Sequence, residues 1–227
     1  MSPAPSPAGP ILPSGVAIVA FHRDSLELPG WPVDDARRSQ PLDESSIWSW
    51  IETNHRFNCR LWAEEDLARR TRVSDSEIAA NKRAIDGFNQ ARNDAAERID
   101  EAMLIALRLV DAASVAGDAP QSTAAPGARL NSETAGAMID RLSILSLKVK
   151  AMTGQTRRDD VDDDHRAASH ARLGRLLAQR DDLAGCFDAL IADCLAGRAY
   201  FKVYRQFKMY NDPRFNPALV AERGLGG

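Results

Sequence analysis

SEIAANKRAIDGFNQARNDAAERIDEAMLIALRLV, running from Ser76 to Val110, holds the longest helical pattern in the chain. Ile85, Phe88, Ala95, Ala96, Ile99, Met103, Ala106 and Val110 recur at helical spacing. They form one apolar line, which predicts a helix with that line against a core. Lys82, Asp86, Asn89, Asn93, Glu97 and Asp100 follow one another at intervals of three or four and make a polar strip beside it. Arg92 falls inside the apolar line. Burying it there without a partner would cost several kcal/mol, so some of the acids must serve it. Asparagine has lower helix propensity than Glu or Lys, so Asn89 and Asn93 suit an inward polar network or a ligand pocket better than plain exposure. The strip is therefore expected to wall a polar cavity between the first, second and third long helices. Lys82 and Arg92 would be its anion contacts or internal counter-ions.

Similar patterns extend in both directions. A first long helix is expected to start at Asp43, Ser45 or Ser46 and to run to about Thr71. Ser74 and Glu77 form a capping box for the central helix, which is expected to end by Gly117. A third helix follows a cap at Asn131 or Ser132, with Met138, Leu142, Leu145, Val149 and Met152 as its core line and Ile139, Ile144 and Leu147 adding apolar surface elsewhere. A fourth spans about Asp162 to Ala196 and stops near Gly197. Strand alternation is almost absent. The fold class is all-α, an antiparallel bundle of four to five long helices.

Residues 1–44 read as a disordered Pro-rich tail followed by a wrapping loop, with Val16–Phe21 as a short strand or buried extended segment. Residues 45–217 form one helical domain, interrupted by a mobile small-residue loop over 116–130. Residues 218–227 are a C-terminal tail.

A chain of 227 residues can bury a substantial core. Its net charge of −3 argues against a general nucleic-acid binder. Cys59, Cys186 and Cys194 lack metal-site spacing and fit buried thiols in a reducing compartment. No run is long and apolar enough to span a bilayer. The apolar run Gly15–Phe21 has no basic residue ahead of it, as a secretory signal would need, so a cytoplasmic location is expected. The long amphipathic helix and aromatic C-terminal segment are compatible with a homo-dimer, although no heptad seam requires one.

Three constellations carry chemistry. The first helix aligns Ile51, His55, Asn58, Trp62, Asp66 and Arg69 on one face, with Glu65 at its edge. Glu52 and His55 make a single E-x-x-H pair, where a di-metal carboxylate bundle needs two. His55 then reads as a hydrogen-bonded core histidine beside Trp62. Glu65 and Asp66, followed some thirty residues on by Glu97 and Asp100, loosely resemble the Mg²⁺-holding acids of all-α nucleotide pyrophosphohydrolases. The competing reading pairs Asp66, Asp86 and Glu97 with Arg69, Lys82 and Arg92 in an interhelix ion-pair network. Near the C-terminus, Tyr200, Phe201, Lys202, Tyr204, Arg205, Phe207 and Lys208 interleave cations with aromatics. As a helix they would place Phe201, Tyr204, Phe207 and Lys208 on one docking face.

NHRFNCRLWAEEDLAR, NKRAIDGFNQARNDAAERID, LNSETAGAMIDRLSILSLKV and FKVYRQFKMYNDPRFNP occur in this order between Ile47 and Pro217. Together they resemble the bacterial family catalogued as domain of unknown function 4254. Ala135 stands where that family often has proline. The resemblance implies an all-helical protein with no settled activity and no known cofactor. It also implies a setting in cell-envelope glycan synthesis, because members tend to be encoded beside glycosyltransferases. The family's polar positions fall here on His55, Asn58, Glu65, Asp66, Arg69, Lys82, Asp86, Asn89, Arg92, Asn93, Glu97, Asp140, Arg141, Lys148, Tyr204, Arg205, Gln206 and Lys208. They include no serine or cysteine nucleophile paired with histidine, which disfavours covalent acyl transfer.

Three functional readings stay open. In the first, the protein is an accessory or binding protein for envelope glycan assembly whose partner is a glycosyltransferase or a sugar nucleotide. His55, Asn58, Lys82, Asp86, Asn89, Arg92, Asn93, Arg141, Lys148, Tyr204 and Lys208 are then the ligand-binding candidates. In the second it is a Mg²⁺-dependent enzyme acting on a nucleotide, nucleotide sugar or sugar phosphate, with Glu65, Asp66, Glu97 and Asp100 holding the metal. In the third, the polar strip only holds the bundle together.

Overall fold

The computed structural model describes residues 12–33, 46–115, 117–205, 209 and 212–224. Helix α1 (Gly15–Leu26) comes first. The long helices are α2 (Ile47–Leu67), α3 (Asp75–Ala106), α4 (Ala135–Thr156) and α5 (Asp163–Leu195), and a short α6 (Pro217–Gly224) ends the chain. Helices α2 and α3 form one hairpin and α4 and α5 another, with α4 also packed on α1, α2 and α3. Ile18, Ile51, Ile99, Met103, Ile139, Leu142 and Phe187 meet at the centre, each essentially without solvent exposure. The fold is the all-α bundle expected. No described helix is long and apolar enough to cross a membrane.

The segment Val16–Phe21 is helical, not extended. Ser14 caps α1 by accepting from the Ala17 N–H at 3.2 Å. The buried positions Gly15, Ile18, His22 and Ser25 are spaced three, four and three apart. Two of those four are polar, which is why an apolar count misreads the period.

Two helices begin in the same way. The Gly15 N–H donates to Asp188 of α5 at 2.7 Å, and the Gly136 N–H donates to Asp100 of α3 at 2.6 Å. A neighbouring helix thus supplies the carboxylate that satisfies an orphan N–H at the positive end of the dipole. Glycine is required at both places. A Cβ on Gly15 would lie 2.5 Å from the Ala184 carbonyl oxygen, and one on Gly136 would lie 2.3 Å from that of Ala96.

The remaining boundaries follow from caps. Ser46, not Asp43 or Ser45, occupies the N-cap of α2; the other two lie outside the described residues. The Ser74–Glu77 capping box forms as expected. Helix α3 stops at Ala106 instead of continuing past Val110. Arg108 adopts φ 56°, the Leu109 N–H bonds to Leu104 O at 2.9 Å and the Arg108 N–H bonds to Ile105 O at 3.0 Å. This is a Schellman ending with arginine in the usual glycine place, so the sequence carries no glycine to announce it. Thr134, not Asn131 or Ser132, caps α4, accepting from the Ala137 N–H at 3.1 Å. Asp162 caps α5 as expected, accepting from His165 N–H at 2.7 Å.

The described part of loop 116–130 is tied down. Thr123 N–H bonds to Leu109 O, and the Arg129–Leu130 strand β1 pairs in parallel with β2 (Ala199–Tyr200). Downstream of β2 the chain is extended, not helical. Phe201 and Val203 are buried while Tyr204 faces solvent, a period of two.

Candidate functional site

Asp140 on α4 is the hub of a polar network between α2, α3 and α4. Its Oδ2 accepts from Arg92 Nη1 at 2.7 Å, and its Oδ1 accepts from the Asn54 and Asn58 amides at 2.9 Å each. Arg92 also donates to Asn93 Oδ1 at 2.9 Å. Asn54 and Asn58 sit one helical turn apart on α2, so both amides reach the same carboxylate. The arginine in the apolar line of α3 therefore has its counter-ion, but that ion is Asp140 and not an acid of its own helix or of α2.

The network continues into the core. Asn58 donates to Ser143 Oγ at 3.0 Å, and Ser143 lies 2.7 Å from His55 Nδ1. The other ring nitrogen, His55 Nε2, is 3.1 Å from the His22 carbonyl oxygen, which can only accept. Nε2 must then carry the proton, and Nδ1 accepts from the Ser143 hydroxyl. Burial holds the His55 pKa down to about 4. His22 stacks on this ring with centroids 4.4 Å apart, and its own pKa is well below the ordinary value, first through burial and then through His55. The ring beside His55 is that of Trp31, at 5.5 Å, in place of Trp62. Trp31 in turn donates to Cys59 Sγ at 3.2 Å, and burial pushes that thiol up to about 11. Ser143 and His55 are both fully buried. A serine–histidine pair is thus present, but no substrate can reach its hydroxyl without opening the core. His55 is a core histidine, as its helical position suggested, and it offers no surface to a ligand. Of the three thiols, Cys59 and Cys194 are buried and Cys186 is exposed.

Beside the hub, toward the C-terminal end of α2, a cleft of about 480 Å³ opens. Its apolar floor is made by Leu61, Ile144 and Leu147, with Trp62 alongside. Its polar lining includes Asn58, Asn89 and Arg92, with Glu65 and Asp66 on the last turn of α2 and Arg69 just beyond its end. A polar cleft between the first three long helices thus exists, but of the six-residue strip expected to wall it only Asn89 lines it; the other sequence candidates there are Asn58, Glu65, Asp66 and Arg92. Glu65 pairs with Arg69 at 3.0 Å. Among the described residues, the Asp66 carboxylate, the Asn89 amide and the Trp62 indole N–H have no hydrogen-bond or ion-pair partner.

The other candidates are placed elsewhere. Lys82 and Asp86 pair with each other on the exposed N-terminal half of α3. Glu97 binds Arg205 Nη1 at 3.3 Å, and the same nitrogen reaches Glu101 at 2.5 Å. Arg205 also donates to Val115 O at 2.8 Å, so it clamps the C-terminal extended segment onto α3. Asp100 is buried against the start of α4, and loss of water pushes its pKa up to about 7 despite the Gly136 N–H. Arg141 pairs with Glu133, Lys148 is exposed on α4, Tyr204 is exposed and Lys208 lies outside the described residues. Glu65, Asp66, Glu97 and Asp100 are not gathered. Among the described residues no three His, Cys, Asp or Glu side chains stand together as metal ligands. The expected interhelix network of Asp66, Asp86 and Glu97 with Arg69, Lys82 and Arg92 does not form: Lys82 and Asp86 do pair, but within α3, while Arg69 pairs with Glu65, Arg92 with Asp140 and Glu97 with Arg205.

The sequence reading missed Asn54, Ser143, Ile144 and Leu147 as parts of this region and left Asp140 unassigned. The Asn54/Asn58 spacing of four was a usable signal. Nothing local marks Asp140 as the partner of Arg92, 48 residues away.

The profile described as "Protein of unknown function (DUF4254)" matches residues 48–203, and the chain belongs to that family. No curated protein and no solved structure matches it.

Proposed function

We propose that this member of the family is a binding or accessory protein in bacterial surface-polysaccharide synthesis, acting beside a glycosyltransferase, with the α2–α3–α4 cleft as its ligand site. The observation that carries the reading is the cleft itself. Its volume lies within the range of about 300–1,000 Å³ common for small-molecule sites. It combines an apolar floor with a few polar groups, and three of those, on Asp66, Asn89 and Trp62, have no partner among the described residues. The Asp140 network behind it holds Asn58 and Arg92 in place, so the wall is preorganised. The glycan setting comes from the family resemblance.

The test is genetic with a biophysical control. A strain lacking the gene should make less surface polysaccharide. Wild-type protein should restore it, and the double variant Trp62→Ala/Asn89→Ala should not, although its urea midpoint stays near wild type. Full restoration by a correctly folded double variant would remove the cleft from the function.

A further inference from the structure

The cleft holds two cations, and both are taken. Arg92 is bonded to Asp140 at 2.7 Å and Arg69 to Glu65 at 3.0 Å. Asp66 lines the same space with no counter-ion. Lys82, the other expected anion contact, is paired with Asp86 and does not line the cleft. With Asp140 counted behind the wall, three carboxylates face two cations, although Glu65 and Asp66 alone line the cleft. The backbone adds to this. Trp62, Glu65 and Asp66 lie in the last turns of α2, which ends at Leu67, so the helix turns its partial negative end toward the cleft. Asn89, Arg92, Ile144 and Leu147 come from the interiors of α3 and α4. Among the described residues no helix N-terminus contributes N–H groups to the lining. A phosphate entering here would meet Arg69 already paired with Glu65 while approaching Asp66.

Resting on the reading of this cleft as the ligand site, we propose that its ligand is an uncharged glycosyl ring and that the cleft selects against sugar phosphates. The apolar floor and Trp62 match the C–H face of a sugar ring. The free groups match its hydroxyls. The Asp66 carboxylate accepts from them in charge-assisted hydrogen bonds, the Asn89 amide both donates and accepts, and the Trp62 indole N–H donates. The charge pattern that suits hydroxyl donors is the same one that repels phosphate oxygens.

Titration followed by NMR tests this on the full chain. The Trp62 indole N–H signal, assigned with Trp62→Phe, is monitored against glucose, galactose, mannose, rhamnose and N-acetylglucosamine, the corresponding 1-phosphates, and uridine. At least one free sugar should shift the signal saturably, and its 1-phosphate should bind at least about tenfold more weakly, which corresponds to 1.4 kcal/mol. Asp66→Asn, an exposed position, should weaken the free sugar and narrow that gap. If a 1-phosphate or uridine binds as tightly as the free sugar, the ligand class is wrong while the cleft remains a binding site. If no compound moves the signal, the cleft reading itself falls.

Discussion

Replacing Asp140 by asparagine keeps the size of the side chain and removes what the hub depends on. Asp140 faces donors on both sides: Arg92 at Oδ2, and Asn54 and Asn58 at Oδ1. An asparagine amide must turn its NH₂ toward one of those sets, so a donor meets a donor in either orientation. The substitution also leaves Arg92, whose side chain is only 21% exposed, without its counter-ion. Removing one partner of a fully buried pair costs roughly 3–5 kcal/mol. Some solvent access reduces this, to about 3 kcal/mol. For a chain of this size the loss corresponds to a Tm lowered by roughly 6–12 °C. Urea denaturation followed by circular dichroism measures it, with Arg92→Met and the double variant completing a cycle. The two single losses should not add, and a coupling of about 2 kcal/mol is expected. The exposed pair Lys82–Asp86 serves as the control, since breaking it should cost less than about 1 kcal/mol. An Asp140→Asn variant within 1 kcal/mol of wild type, or strict additivity with Arg92→Met, would refute the hub.

Two further outcomes follow from the packing. Gly136→Ala should destabilise by about 3 kcal/mol, because the new Cβ meets a backbone oxygen that cannot step aside. Gly154→Ala on the same helix has nothing within 4 Å and should stabilise by roughly 0.5–1 kcal/mol; equal effects in thermal melts would contradict the close approach of α3 and α4. Asp100 gives a pH signature. Its folded pKa, near 7, lies above the ordinary carboxylate value of 3.8, so the folded state holds a proton that the unfolded chain has released. Stability from this site is present below about pH 4 and is lost as the pH rises to about 7, by an amount on the order of 4 kcal/mol. Wild type minus Asp100→Asn should show that decline in denaturation curves taken from pH 4 to pH 8. A difference independent of pH would overturn the assignment.

The helices themselves were legible in the sequence because they rest on local rules. The apolar line of α3, the Ser74–Glu77 box and the Asp162 cap each involve residues within a few positions of one another, and each was found. The polar wall of the cleft was legible too, since Asn58, Asn89 and Arg92 follow from helical phase and from the poor fit of such residues to plain solvent exposure. What the sequence could not determine was pairing across distance. The chain offers many acids to Arg92, and only the packing of α4 against α3 selects Asp140. The same packing separates Glu97 and Asp100 from Glu65 and Asp66. Asp100 and Asn89 are eleven residues apart on α3, about 16 Å along the axis, so a strip continuous in sequence serves a cleft at one level and a buried helix start at another. The endings that broke local expectation did so for reasons held in tertiary structure. Arg108 takes the glycine conformation where Leu109 can bury, and Phe201 and Val203 are drawn into the core beyond β2, where Arg205 can reach Glu97 and Glu101. Periodicity determines which residues lie on a common face, and only packing determines what that face meets.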